Sequence, residues 1–486
     1  MIGGKTPSEQ YLAKLCQRSF LSLWSFPNVF TDRGKEKTGI GQELCDLLVV
    51  FGNDVIIFSD KSCEYKNTNR LQVDWNRWYN KAIGKSCEQI FGAERWIRLF
   101  SDRIFLDASC NVPFPITLPP SDSIRIHRIA VALGAKDACR SFYGSGSGSG
   151  SGSLRLNTDL SPIMADDSEG ERLKAFTVGH FDRTKGYVHV FDDVTLDIVL
   201  GELDTISDFC IYLRKKEQLI QSATVSSSGE EDILAFYLTT MDADGQHGFG
   251  LGEHQYTSIT IEDKWNHIKI NKIYMHKKKL DQGSYIWDDL IEHFNKQRKD
   301  GDLVTSREMH DYEPVARKLA SLNRFERRIV GNKLIAVLKE TAPNQERFSA
   351  ILPKMDGDRA YIFVLLPPYE EFDYEEYRKF RLALLTAYAG VIKLKCPQVL
   401  EVIGIATEPE MAGRGRTEDL VISDFSVWTE EQAQQAKQDM DMLDLGAAPV
   451  GSQELEYPYQ ERAPRVPKRE EQRRLRQLAR QRAKAQ

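Results

Sequence analysis

The chain has 486 residues, 41% of them apolar and 28% charged, with a formal net charge of −6. That balance excludes an intrinsically disordered chain and leaves room for two or three domains, each with its own core. The sequence has no apolar run of 18 residues and no signal-peptide core in MIGGKTPSEQ, which predicts a cytoplasmic chain with no membrane contact.

The charge is unevenly spread. Residues 1–143 hold 19 Lys+Arg against 15 Asp+Glu, the tail 468–486 holds 8 against 2, and the stretch between them carries −16. Three surfaces of different sign are therefore expected. The eight cysteines include no C-x-x-C pair, which argues against a zinc site and for small buried apolar side chains in a reducing compartment.

In chain order, Thr6 to Trp24 is expected to be a helix. Thr6 and Glu9 form a capping box, Pro7 sits at the first helical position, and Leu12, Leu15, Cys16 and Leu23 share a face. GIGQELCDLLVVFGNDVIIFSDK, residues 39–61, follows as two apolar strands joined at Gly52-Asn53, a two-residue hairpin turn. Helical spacing of Trp75, Trp78, Tyr79, Ile83, Ile90, Trp96 and Ile97 predicts one helix from Val73 to Phe100. RIFLD and SIRIHRIAVAL are expected to be strands.

Gly144 to Ser153 is five Gly-Ser pairs, a flexible tether about 17 Å end to end, natural or engineered. Beyond it, KGYVHVFDDVTLDIVLGELDTISDFCIYLRKKEQLI alternates strand and helix patterns. Glu202, Asp204 and Asp208 suit a helix start as capping acids, and DADGQHGFGLGEHQYTS is a surface loop. His180, His189, His247, His254 and His267 show no ligand spacing. Residues 305–341 are expected to be helical, followed by strand RAYIFVLLP, helix Tyr374–Ala389, and strands in EVIGIATEP and DLVISDFSVW. The Arg-rich tail is disordered or helical only on binding; such a tail suits RNA, DNA or an acidic partner.

The hairpin concentrates the chemistry. A two-residue turn pairs residues whose numbers sum to 105, so Asp46 faces Ser59, and Lys61 lies on the same face within reach of Asp46. Asp60 points the other way unless a bulge turns it inward. An acid and a lysine at the open end of a buried hairpin suit metal-assisted phosphodiester hydrolysis, in which a carboxylate holds the cation and a lysine offsets phosphate charge. The plainer reading makes Asp46 a strand-end acid and Lys61 a solvated strand terminus.

Glu43-x-x-Asp46, an apolar strand, a turn, and a second apolar strand ending in a lysine resemble the core of the PD-(D/E)xK nuclease superfamily. The resemblance spans Gly39 to Phe100. It implies a restriction-endonuclease-like mixed sheet flanked by helices, with Mg²⁺ or Mn²⁺ as cofactor and a DNA or RNA substrate. By it, Asp46 and Glu43 are metal-binding acids, Glu43 being the helical acid of many members, and Lys61 is the catalytic lysine. Arg70, Arg77, Lys81 and Lys85 would face phosphate. Ser59 departs from the pattern, standing where an acid or Gln is expected, and Glu43 or Asp60 is left to fill that place.

The fold class expected is α/β. A nuclease-like domain spans 1–143, a linker 144–153, α/β regions 154–300 and 301–440, and a flexible basic tail 441–486. The function expected is a nuclease, with a role in defence against foreign nucleic acid by analogy of fold alone. The alternative is a non-catalytic nuclease-like scaffold that binds nucleic acid, or a protein partner through the middle or C-terminal region.

Overall fold

The computed structural model describes residues 3–144, 151–160, 175–243, 245–251, 257–301, 309–354, 357–409, 417–443 and 450–459. Most of the Gly-Ser run and the basic tail 468–486 lie outside them. The fold is mixed α/β, with mixed sheets flanked by helices.

Eight strands come first: β1 Ser25–Thr31, β2 Gln42–Phe51, β3 Asp54–Ser62, β4 Ile104–Phe105, β5 Arg125–Leu133, β6 Arg155–Asn157, β7 Thr177–Val178 and β8 Val188–Phe191. Then come β9 Thr224–Ser227, β10 Ser258–Ile261, β11 Arg347–Leu352, β12 Arg359–Leu365, β13 Glu401–Thr407, β14 Asp419–Asp424 and β15 Val450–Gly451. They make three sheets, ordered β4-β1-β2-β3-β5-β8, β10-β9-β6-β7 and β14-β13-β12-β11-β15.

The hairpin carries the expected register. Phe51 pairs with Asp54 and Leu47 with Phe58, and Gly52 takes φ 58° in the turn, a backbone that favours glycine. β3 then runs parallel to β5, and β5 parallel to β8. The last strand of this sheet thus comes from beyond the Gly-Ser run, across the division expected at 144–153.

Strand alternation sends neighbouring residues of β3 to opposite faces. Phe58 meets Phe20 of the first helix, Pro7–Trp24, at 6.4 Å, and Phe209 of helix Ile206–Ser222 at 6.5 Å. Ser59 on the other face meets Gln89 of helix Lys85–Leu99.

Two local expectations need correction. The single helix over 73–100 is two α-helices, Leu71–Tyr79 and Lys85–Leu99, joined by a π-helical turn at Asn80–Gly84; one wide turn preserves the apolar face while shifting its phase. β1 was not expected, because Pro27 and Asn28 interrupt its apolar pattern. Asn28 has φ 50°, and the β1–β2 register slips between Val29 and Phe30, a β-bulge next to the hairpin's open end.

In the C-terminal sheet, helix Tyr374–Lys395 starts with a complete capping box between Asp373 and Glu376, and β12 and β13 pair in parallel beneath it. β11 was not expected from the sequence. The helical stretch before it is two helices, Met309–Ala320 and Arg324–Glu340. All eight cysteines are buried and free.

Candidate active site

β3, β5 and β8 all end on the same side of the sheet, and in open α/β sheets ligand sites form beyond the carboxyl ends of parallel strands. Asp46, Asp60 and Lys61 are at that end. Asp46 Oδ2 accepts from the Asp60 backbone N–H at 2.6 Å and lies 3.3 Å from Lys61 Nζ. Burial raises the Asp46 pKa against the pull of Lys61, and the charge of Glu43 adds to the rise.

Asp60 differs from its neighbours. It is buried on the face of β3 that meets the first helix, and neither carboxylate oxygen has a hydrogen-bond partner. The Ser8 hydroxyl is near enough to lower its pKa but does not satisfy it. Burial, with the charges of Asp46 and Glu9, pushes that pKa up to about 6. Asp60 therefore does point away from the Ser59 face, and it joins Asp46 electrostatically with no bulge in β3.

The first helix supplies the acid that the sequence reading missed. Thr6 accepts from the Glu9 N–H at 3.2 Å as the expected cap, but the Glu9 carboxylate reaches past Thr6 to the Lys5 N–H at 2.7 Å and to Asn28 Nδ2 at 3.3 Å. Glu43 belongs to strand β2, not to a helix, which corrects the role implied for it. Its Oε1 accepts from Asn28 at 2.9 Å and its Oε2 from Lys5 Nζ at 2.8 Å. Asn28, in a left-handed conformation on β1, stands between Glu9 and Glu43. The spacing Thr6-x-x-Glu9 was the signal for Glu9, but it reads as capping alone.

Ser59 is fully buried and donates to Gln89 Oε1 at 2.9 Å, so a carboxamide from the helix beneath occupies the hydroxyl that replaces the expected acid. Arg70, Arg77, Lys81 and Lys85 are exposed, and none forms an ion pair among the described residues. Lys81, Lys85 and Gln89 succeed each other at four-residue spacing. Trp75 and Trp78 are core residues stacked at 5.4 Å, not a base platform.

The opposite end of the same strands holds a second polar cluster that residue spacing did not reveal. Asp54 takes a bidentate contact from Arg125, both distances 2.8 Å, and a 3.1 Å contact from His127 Nε2. Glu217 Oε1 joins His127 Nδ1 at 2.9 Å to His189 Nε2 at 3.1 Å. Burial opposes charge on both acids, but the Arg125 and His127 contacts hold Asp54 at about 2 and the two histidines hold Glu217 at about 2. His127 is raised despite its burial by the same two acids, whereas burial pushes His189 down to about 4. Of the three acids expected at a helix start, only Asp208 stands there, in the first turn of helix Ile206–Ser222, exchanging bonds with the Thr205 cap. Glu202 ends the preceding helix, Thr195–Glu202, and pairs with Lys278, and Asp204 lies between the two helices and pairs with Arg324.

Among the described residues, no three His, Cys, Asp or Glu side chains form a cage for a metal ion. Mg²⁺ needs no such cage, since one or two carboxylates with water and substrate phosphate suffice. Asp60 has two oxygens outside the hydrogen-bond network and Asp46 commits only Oδ2, so these are the acids with oxygens to spare, on opposite faces of the sheet, whereas both oxygens of Glu43 are taken. No helix among the described residues is long and apolar enough to cross a membrane. Comparison with protein-family models, with curated proteins and with solved structures returns no match to this chain.

Proposed function

We propose that the chain is a metal-dependent nuclease with a restriction-endonuclease-like N-terminal sheet. The observation that carries this reading is the unpartnered, buried Asp60 carboxylate beside Asp46 and Lys61, at the carboxyl ends of parallel strands. An unpaired buried acid costs stability, and such sites cluster where catalysis needs them.

Asp46 and Asp60 would hold Mg²⁺ or Mn²⁺, which lowers the pKa of bound water and stabilises charge on phosphate. Lys61, partly exposed beside Asp46, offsets charge developing on the scissile phosphate. Arg77, Lys81 and Lys85 hold the nucleic-acid backbone on the exposed helix face. Asn28 ties Glu9 of the first helix to Glu43 of β2 beside the two acids. A role in defence against foreign nucleic acid remains an analogy of fold class.

The test incubates the protein with DNA and RNA in Mg²⁺ or Mn²⁺, alongside Asp60→Asn and Lys61→Met. Cleavage is expected from the parent chain and from neither variant; equal cleavage by all three sinks the reading. One observation favours the scaffold alternative: Ser59 is closed off by Gln89 and supplies no acid. That alternative predicts no cleavage with any metal, and nucleic-acid or protein binding that survives Asp46→Ala.

A further inference from the structure

The middle of the chain, residues 144–467, carries −16, yet residues 264–280 within it hold six lysines, two histidines and no Asp or Glu. They form two short helices, Lys264–Ile268 and Lys272–Leu280. Asn271 caps the second, its side chain accepting from the Ile273 and Tyr274 N–H groups. Charge segregated in this way makes a surface of its own.

The inner side of the segment is neutralised. Lys277 pairs with Asp281 at 2.7 Å and Lys278 with Glu202 at 2.9 Å, and the Tyr274 hydroxyl donates to the same Glu202. These contacts engage the neighbouring acids and fix the second helix to the protein. The outer side differs. Lys264, Lys272 and Lys279 are exposed and form no ion pair among the described residues, and Lys269 donates to the neutral Asn266 side chain.

Lys272, Met275, His276 and Lys279 recur at three- and four-residue spacing, so they share one face. Lys272 and Lys279 stand at its centre, about 10 Å apart along the axis, a length that spans about three phosphates of one duplex strand. Met275, 52% exposed, and Leu280 lie to either side, and Ile270, 71% exposed, tips the turn between the helices. That order separates two kinds of polyanion. A helix lying in a membrane surface places its apolar side chains at the centre of the docked face and its lysines at the flanks; here the lysines hold the centre. The basic surface continues onto the first helix through Gly201. The Gly201 carbonyl accepts from Lys278 Nζ at 3.5 Å, and Arg18 lies 4.0 Å from where a side chain at Gly201 would begin. Lys14 and Arg18, one turn apart, are exposed and form no ion pair among the described residues.

We propose that residues 264–280 form a docking surface for the phosphate backbone of nucleic acid. Lys264, Lys272 and Lys279 contact phosphates, and Lys14 and Arg18 extend the track along the first helix. Such contacts position the strand without reading its sequence. The surface needs neither metal nor cleavage, so it stands apart from the nuclease reading.

The experiment measures binding of a short fluorescein-labelled DNA duplex to the full chain by fluorescence anisotropy, in EDTA and over a series of NaCl concentrations. The variants are the double substitution Lys272→Ser with Lys279→Ser, the single Ile270→Ser and, as a control, Lys379→Ser on the exposed face of helix Tyr374–Lys395. The double variant is expected to bind more weakly and to reduce the slope of log binding constant against log salt by about 1.4–1.8, while Lys379→Ser matches the parent. The other basic segments are common to every variant, so the difference belongs to this face. Thermal melts check that each variant is folded. A folded double variant with the parental slope overturns the proposal, as does a parent that binds no duplex or a control that loses as much as the double variant. Phosphatidylserine vesicles test the lipid alternative: vesicle binding lost in Ile270→Ser, with duplex binding unchanged in the double variant, overturns the choice of nucleic acid. EDTA removes cleavage from the readout, so failure here and failure of the nuclease reading are separate results.

Discussion

Asp54 and Asp60 sit six residues apart on one strand, on the same face, and are 5% and 4% exposed. Yet one carboxyl is held at about 2 and the other is pushed up to about 6. Burial is common to both and cannot account for the difference. Asp54 receives Arg125 and His127, whereas Asp60 has only the loosely placed Ser8 hydroxyl and faces two further acids. One end of the sheet is charge-satisfied and adds to stability. The other is left unsatisfied, as expected where an ion or a substrate completes the structure.

The largest effect should come from breaking the satisfied end. Asp54→Ala leaves His127 and Arg125 without their shared acid, and urea unfolding should show a loss of about 3–5 kcal/mol. A pH series sharpens the point. Folded pKa values of Asp54 and Glu217 lie below their unfolded ones, so their contribution is present above about pH 4 and lost as pH falls towards 2. Asp54→Ala should flatten that acid limb.

Asp60→Asn should act in the opposite direction. Its folded pKa of about 6 lies above the unfolded 3.8, so the protonated fold is favoured at low pH and the advantage disappears as pH rises from about 4 through 6. At pH 7 the amide should stabilise the protein by about 1–3 kcal/mol, measured by urea unfolding, while cleavage is lost. Lys61→Met should change stability by less than about 1 kcal/mol, because its pair with Asp46 is partly exposed, yet should abolish cleavage. The smallest effects belong to Arg77, Lys81 and Lys85. Replacing any one with Ser should leave stability unchanged and reduce the slope of log binding constant against log salt by about 0.7–0.9.

The hairpin was legible because a two-residue turn fixes register, and register fixes which side chains share a face. That argument placed Asp46 and Lys61 together, and Lys61 Nζ lies 3.3 Å from Asp46 Oδ2. Glu9 was hidden by an innocent alternative, since an acid three residues into a helix is ordinarily a cap. β1 was hidden by Pro27 and by the left-handed Asn28, the residue that bridges Glu9 and Glu43. The Asp54–His127–Glu217–His189 chain draws on four distant parts of the sequence. Parallel pairing of β3, β5 and β8 together with helix Ile206–Ser222, which brings Glu217, assembles it, and such non-local packing leaves no local pattern to read.

The most direct measurement pairs unfolding free energy with cleavage for Asp60→Asn at pH 7 in Mn²⁺. The account predicts a protein more stable than the parent that no longer cuts nucleic acid. A variant that is no more stable, or that cleaves at the parental rate, contradicts it.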